Sequence, residues 1–229
     1  MTRSHPPVRV AAAIPAYEAG SSIAGVVLRT RERIGEVVVV DDGSSDETGA
    51  AARRAGARVL RHSRNRGKGA ALRTAFDDLL SRGFDAVLTL DADGQHLPEE
   101  IPKLLEAAGA DLVIGGRDHL FAGMRPLRRT SNRLSSRAIS LVAGCRLSDV
   151  QSGFRLYRRT LLEITGFPEC RFDAESAVVV RAVRRGLRVV TVPVRLGFVD
   201  GYHTSHYRAV VDSLRIARAV TRARFEARP

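Results

Sequence analysis

The 229 residues contain no tryptophan, and the aromatic share is only 5%. A core must therefore rest on Val, Leu, Ile and Ala, and side chains for stacking nucleic-acid bases are few. Cysteine is equally scarce. Cys145 and Cys170 form no CxxC and no metal-ligand spacing, so they read as two buried, reduced thiols. Residues 1–7 lack the apolar run of a secretory signal. Nowhere does an apolar stretch approach the roughly 18 residues that would mark a bilayer-spanning helix. These absences predict a cytoplasmic protein, or one that meets a membrane only at its surface. Acidic residues are in deficit, 25 against 37 Lys and Arg, for a net charge of +12. That balance asks for an anionic partner: nucleic acid, a phosphorylated substrate or an acidic membrane.

The apolar share of 44% fits a globular chain long enough for one large core. Its first half alternates between short apolar runs and helical stretches. Strands are predicted at residues 8–14, 37–40, 58–60, 86–90 and 112–114. Helices are predicted from the serines at 21–22 to Arg31, from a capping box of Ser44 and Glu47 to Gly56, from Gly67 to Arg82, and from Pro98 onward. Such alternation means a mostly parallel sheet with helices on both faces. Ligands of these sheets bind beyond the carboxyl ends of the strands. After Gly116 the rhythm changes to a basic irregular segment at 117–129, a helix at 131–143, and a loop from Asp149 into a strand near Tyr157. A helix at 173–185, a strand at 187–194 and a basic amphipathic helix from Tyr207 to Phe225 follow.

Three strand ends bring polar groups to that rim: Pro15-Ala16-Tyr17, Asp41-Asp42-Gly43-Ser44-Ser45 and Asp91-Ala92-Asp93-Gly94-Gln95. Two carboxylates separated by one small residue, in a tight turn, can face one ion. Magnesium or manganese takes one or two protein carboxylates and completes its shell with water and substrate phosphates. Gln95 adds a neutral oxygen. The plain alternative is a surface turn, because Asp and Gly favour turns anyway. Asp42 can accept from a nucleobase or ribose, or serve the helix start that follows it. Tyr17 can pack on a base or fill a half-buried core position. Gly67-Lys68-Gly69 is not a Walker A loop, since its spacing fails, but Lys68 at a helix start can meet a phosphate.

Taken together and in this order, Pro15-Ala16-Tyr17, Val39-Val40-Asp41-Asp42-Gly43-Ser44, Gly67-Lys68-Gly69 and Asp91-Ala92-Asp93-Gly94-Gln95-His96 resemble the family 2 glycosyltransferases of GT-A fold. Residues 128–133 and Asp149-Val150-Gln151-Ser152-Gly153-Phe154-Arg155 are similar to the branch that glycosylates dolichyl or polyprenyl phosphate. The resemblance spans about residues 8–215. It implies a single α/β domain from residue 8 to 229 behind a flexible 1–7, with a nucleotide-binding half (8–115) and an acceptor-binding half (116–229). Asp42 would hold the base beside Tyr17, and Asp91, Asp93 and Gln95 would hold Mg2+ or Mn2+. Arg117, Arg128 and Asn132 would contact donor and acceptor phosphates, while Ser152, Gly153 and Arg155 would lie near the sugar and acceptor. The family often reads Tyr-Asn-Glu after the first strand; here Tyr17-Glu18-Ala19 stands, so Glu18 is the candidate replacement.

The implied activity is inverting transfer of mannose or glucose from GDP-mannose or UDP-glucose to a polyprenyl phosphate, met at the membrane surface or through a separate membrane partner. His206, in His203-Thr204-Ser205-His206, is a candidate for the acceptor phosphate. Glu175 opens a rival. It stands where family members that glycosylate hydroxyls carry their general base, whereas a phosphate acceptor needs no base; the plain alternative is a salt bridge on an exposed helix face. The basic segments can lie on anionic lipid or simply solvate one helix face. A nucleic-acid-binding protein is a further rival that charge supports but no recognised module does.

Overall fold

The computed structural model describes residues 8–116, 149–197 and 209–226. The expected helix at 131–143 and the basic segment at 117–129 lie outside them. The first half follows the predicted alternation: β1 (Val10–Ala16), α1 (Ile23–Arg31), β2 (Val37–Asp41), α2 (Thr48–Arg54), β3 (Arg58–Arg61), α3 (Lys68–Ser81), β4 (Ala86–Thr89), a 3-10 turn at Pro98–Glu100 leading into α4 (Ile101–Glu106), and β5 (Leu112–Gly116). Then come β6 (Arg155–Arg158), α5 (Arg159–Thr165), α6 (Asp173–Arg184), β7 (Val189–Pro193) and α7 (Ala209–Phe225). Helix α5 has no counterpart among the expected elements.

The strands form one seven-stranded sheet in the order β3-β2-β1-β4-β6-β5-β7. Strand β6 is antiparallel to both neighbours, and every other pairing is parallel. Period-two alternation assigns the faces. Val38 and Val40 of β2, Val87 of β4 and Tyr157 of β6 point to one side, where α3, α6 and α7 cover them. Val37, Val39, Leu88 and Leu156 point to the other, under α1, α2 and α4. Consecutive alanines, Ala11 to Ala13, keep β1 thin between the layers, and both faces of this strand are buried.

Strand order reverses between β1 and β4, and this switch point fixes the rim where ligands of such sheets bind. Because β6 runs backwards, the register Thr89 with Arg155 brings its leading end, and so residues 149–154, to that same rim.

Two expected helix caps are corrected. Ser22 stands before α1 but makes no side-chain cap; its hydroxyl donates instead to the Ala92 carbonyl at 2.7 Å. Ser44 and Glu47 form no capping box, because α2 begins later, at Thr48, where Asp46 Oδ1 accepts the Thr48 amide at 2.9 Å. Asp46 is closer to the helix's first free amides and supplies a charged acceptor.

Candidate active site

The loops after β1 and β2 are laced to each other. Ser44 Oγ accepts the Glu18 amide at 3.0 Å, Thr48 Oγ1 accepts that of Ala19 at 2.7 Å, and Asp46 Oδ2 accepts that of Gly20 at 2.8 Å. Glu18 answers through Oε1, which accepts the Ser45 amide and hydroxyl at 2.8 and 3.0 Å. Glu18 adopts a positive φ of 51°, a conformation that these bonds hold in place. Tyr17 and Pro15 are half-buried at the start of this lattice.

Asp42 is buried and turned onto its own chain. Its Oδ1 meets His62 Nδ1 at 2.6 Å and accepts the Arg66 amide at 2.9 Å, while Oδ2 accepts the Gly67 amide at 2.7 Å. His62 continues to Thr74 Oγ1 at 3.0 Å. The carboxylate thus fastens loop 62–67 to the end of β2. Neighbouring Asp41 is also buried, accepting the Ser44 amide at 2.9 Å with Arg61 3.5 Å from its other oxygen.

The turn after β4 is of another kind. The Asp91 side chain is 33% exposed and Asp93 is half-buried. Asp93 Oδ1 accepts the Gln95 amide at 3.0 Å. Beneath the turn, buried His96 accepts the Asp91 amide on Nδ1 at 3.0 Å, so that nitrogen is unprotonated and the proton sits on Nε2. The 3.7 Å approach of the same nitrogen to Asp91 Oδ2 is therefore no ion pair. The His96 ring stacks on Phe154 at 5.4 Å. Ser22 holds the Ala92 carbonyl from outside, and Gln95 O accepts the Gly197 amide at 2.9 Å. The backbone of the turn is thus fixed on three sides while both carboxylates stay partly exposed.

This donor set fits a small, hard divalent cation. Among the described residues no three His, Cys, Asp or Glu side chains gather into a closed cage. Magnesium or manganese needs none where phosphates supply further oxygens.

Lys68 joins the turn to the second half of the chain. Its Nζ lies 2.7 Å from Asp91 Oδ1 and 3.0 Å from Glu175 Oε2. Burial alone would pull the ammonium's pKa down, but the charges of Asp91 and Glu175 outweigh it and hold the group well above the ordinary lysine value. Glu175, in the first turn of α6, is only 4% exposed, so the exposed-face salt bridge is corrected to a buried pair. Its Oε1 has no hydrogen-bond partner among the described residues. Gly153 completes the group: a Cβ there would stand 2.6 Å from Lys68 Nζ and 2.8 Å from Asp91 Oδ1. A side chain there would have to push the paired groups aside.

Lys68 does begin a helix, but the helix start is already filled. The Ala70 amide donates to the Cys170 carbonyl at 3.0 Å, and a Cβ on Gly69 would meet the Glu169 carbonyl at 2.6 Å. A phosphate seated on the α3 amides would collide with segment 169–170. Cys170 itself is exposed and free, not buried.

Two expected acceptor contacts are corrected. Arg155 is 0% exposed. Its guanidinium donates to the carbonyls of Ser152 (2.7 Å), Glu175 (2.6 Å) and Val150 (2.6 Å), so it is the internal brace of loop 149–154. Beside it, burial pushes the Tyr157 phenol up to about 12. Ser152 is buried as well, its hydroxyl turned toward the Phe154 amide at 3.4 Å. Arg117, Arg128, Asn132 and His206 lie outside the described residues. Sequence reasoning missed Ser22, His96 and the meeting of Lys68 with Glu175. Of these only His96 carried a local signal, by standing directly after the turn.

A mixed sheet with an open DxD turn at its switch point, braced from both halves of the chain, is the GT-A form of a glycosyltransferase. The profile of glycosyl transferase family 2 matches residues 12–165, and the chain belongs to that family. It is 35% identical over 202 residues to the undecaprenyl-phosphate mannosyltransferase of Micrococcus luteus, covering 82% of this chain and 83% of that one. It is 34% identical over 205 residues to the polyprenol monophosphomannose synthase of Mycolicibacterium smegmatis, covering 82% and 77%. The fold matches glucosyl-3-phosphoglycerate synthase from Mycobacterium tuberculosis, solved with Mn2+, UDP and glucosyl-3-phosphoglycerate. That match has a TM-score of 0.68 and 20% identity, over 95% of this chain and 78% of that one.

Proposed function

We propose that the protein is an inverting, metal-dependent hexosyltransferase that moves mannose or glucose from a nucleotide-diphosphate sugar to a polyprenyl phosphate at a membrane surface. The observation that carries this reading is the Asp91–Asp93 turn, whose backbone is fixed while its carboxylates stay accessible at the switch point. The names of the two relatives supply the acceptor class and favour mannose. The solved fold relative, which holds UDP and Mn2+, supplies the donor class and the metal class.

In this reading Asp91 and Asp93, with Gln95, would hold Mg2+ or Mn2+, whose charge would neutralise the leaving diphosphate. The residues 8–115 take the nucleotide: Pro15, Tyr17 and Glu18 frame the base, and Asp42 shapes the pocket through loop 62–67 rather than by reaching out of it. The residues 116–229 take the acceptor, with Arg117, Arg128, Asn132 and His206 assigned to phosphates and Gly153 closing the site beside Lys68. A phosphate acceptor is already an anion, and Glu175, engaged with Lys68, is left to position rather than to deprotonate.

The membrane contact is assigned to the outward face of α7. Ile216, Ala219, Val220 and Ala223 are buried toward the core. On the opposite side Leu214 (62% exposed) and Phe225 (80%) bracket exposed Arg218 and Arg222. Apolar anchors between arginines suit an anionic lipid surface. Among the described residues no helix is long and apolar enough to cross a membrane.

Calorimetric titration of GDP-mannose and UDP-glucose, with and without Mn2+, against wild type and Asp93→Ala tests the reading. The expected result is metal-dependent binding of one donor, lost in the variant, with transfer from that donor to undecaprenyl phosphate. Binding of neither donor to the folded protein overturns it.

A further inference from the structure

The two carboxylates of the turn are not equivalent. Asp93 makes no ion pair among the described residues, whereas Asp91 Oδ1 is occupied by the Lys68 ammonium at 2.7 Å. A cation that used this oxygen would face that ammonium at close range, and like charges in a partly buried site repel strongly. Lys68 has somewhere to go. It already touches Glu175 Oε2 at 3.0 Å, and Glu175 Oε1 is buried without a hydrogen-bond partner among the described residues, an acceptor that a full shift of the ammonium would satisfy. No other carboxylate of the described residues lies within ion-pair reach of Lys68, and the Gly153 backbone closes one side of the pair.

We propose that Lys68 is an internal competitor for the cation, occupying Asp91 until a nucleotide-bound cation displaces it, and that Glu175 sets how readily it yields. This rests on the reading of the turn as a metal site. It makes Lys68 and Glu175 positioning residues with opposite effects. Lysine weakens the binding of free cation, and glutamate strengthens it by drawing the lysine away. A cation arriving with a diphosphate brings oxygens of its own and wins Asp91; a bare cation does not.

The test is direct Mn2+ titration, read from the electron paramagnetic resonance of the free ion, on nucleotide-free protein. K68M is expected to bind Mn2+ at least about tenfold more tightly than wild type. E175Q is expected to bind about threefold or more weakly, since Lys68 then leans on Asp91 alone. K68M leaves a buried carboxylate without its counter-charge, so the double variant K68M/E175Q, which removes both charges, is measured beside it and is expected to bind as tightly as K68M. Mn2+ binding by the double variant no tighter than that of wild type overturns the competition, and tightening in E175Q overturns the role of Glu175. Adding D93N to the double variant separates the two levels. If its Mn2+ affinity does not change, the turn is not the metal site and the underlying reading fails; if it falls although the double variant bound no tighter than wild type, only the competition fails.

Discussion

Strands β2 and β4 lie on either side of β1, run in the same direction and end in the same kind of sequence, a pair of aspartates followed closely by glycine. Their fates diverge. Asp41 and Asp42 are buried, and their oxygens accept backbone amides and a histidine. Asp91 and Asp93 stay partly in solvent, because other residues serve much of the turn's backbone: His96 accepts the Asp91 amide and Ser22 donates to the Ala92 carbonyl, while Asp93 accepts the Gln95 amide on one oxygen. A carboxylate at a strand end is a fastener when its own loop folds back onto it. It remains available to a ligand when neighbouring residues satisfy that backbone.

The contrast predicts opposite phenotypes. The largest effect is expected at Asp93. Asp93→Asn should lower kcat/KM for transfer by at least about a thousandfold, with stability unchanged to within about 0.5 kcal/mol, as judged by steady-state kinetics and thermal melting. Asp42→Ala should do the reverse. Leaving two amides and His62 without an acceptor should cost about 3 kcal/mol, a fall of roughly 10 °C in Tm. An unchanged melt would break the comparison. The smallest effect is expected at a fastening carboxylate far from the rim. Glu226 accepts from buried Arg181 at 2.7 Å and ties the end of α7 to α6. Hydrogen bonding to Arg181 holds its carboxyl below the ordinary glutamate value. A lowered folded-state value means that the stabilisation is present above the unfolded value, about 4.3, and is lost as pH falls through the folded one. The protection factors of the α7 amides against hydrogen exchange should therefore fall below about pH 4.3, and Glu226→Gln should flatten that dependence.

Much of the sheet was legible because buried strands write themselves as apolar runs: Val37 to Val40 and Leu112 to Ile114 fell where expected. The DxD turn was legible for the same reason, as a polar break directly after such a run. The reversed direction of β6 was not, since period-two alternation is identical in both directions. Arg155 misled because arginine is rarely buried; only the fold shows three carbonyls converging on it. Ser44 misled because a closer carboxylate, Asp46, outcompeted it for the helix start. The pairing of Lys68 with Glu175 joins helices far apart in sequence and has no local signature.

The insertion of β6 between β4 and β5 has a consequence for biosynthesis. Strand β5 leaves the ribosome before β6, yet among the described strands it pairs only with β6 and β7. Until β6 emerges, the nascent sheet can assemble as β3-β2-β1-β4 and no further. The open flank is then Ala86–Thr89, four buried residues with unpaired backbone groups along one side. A bare, apolar strand edge is a template for adventitious pairing with other chains. The interval between residues 89 and 155 is therefore when this polypeptide is most exposed to misassembly, and the strand that delivers Gly153 to the rim beside Asp91 also seals that edge.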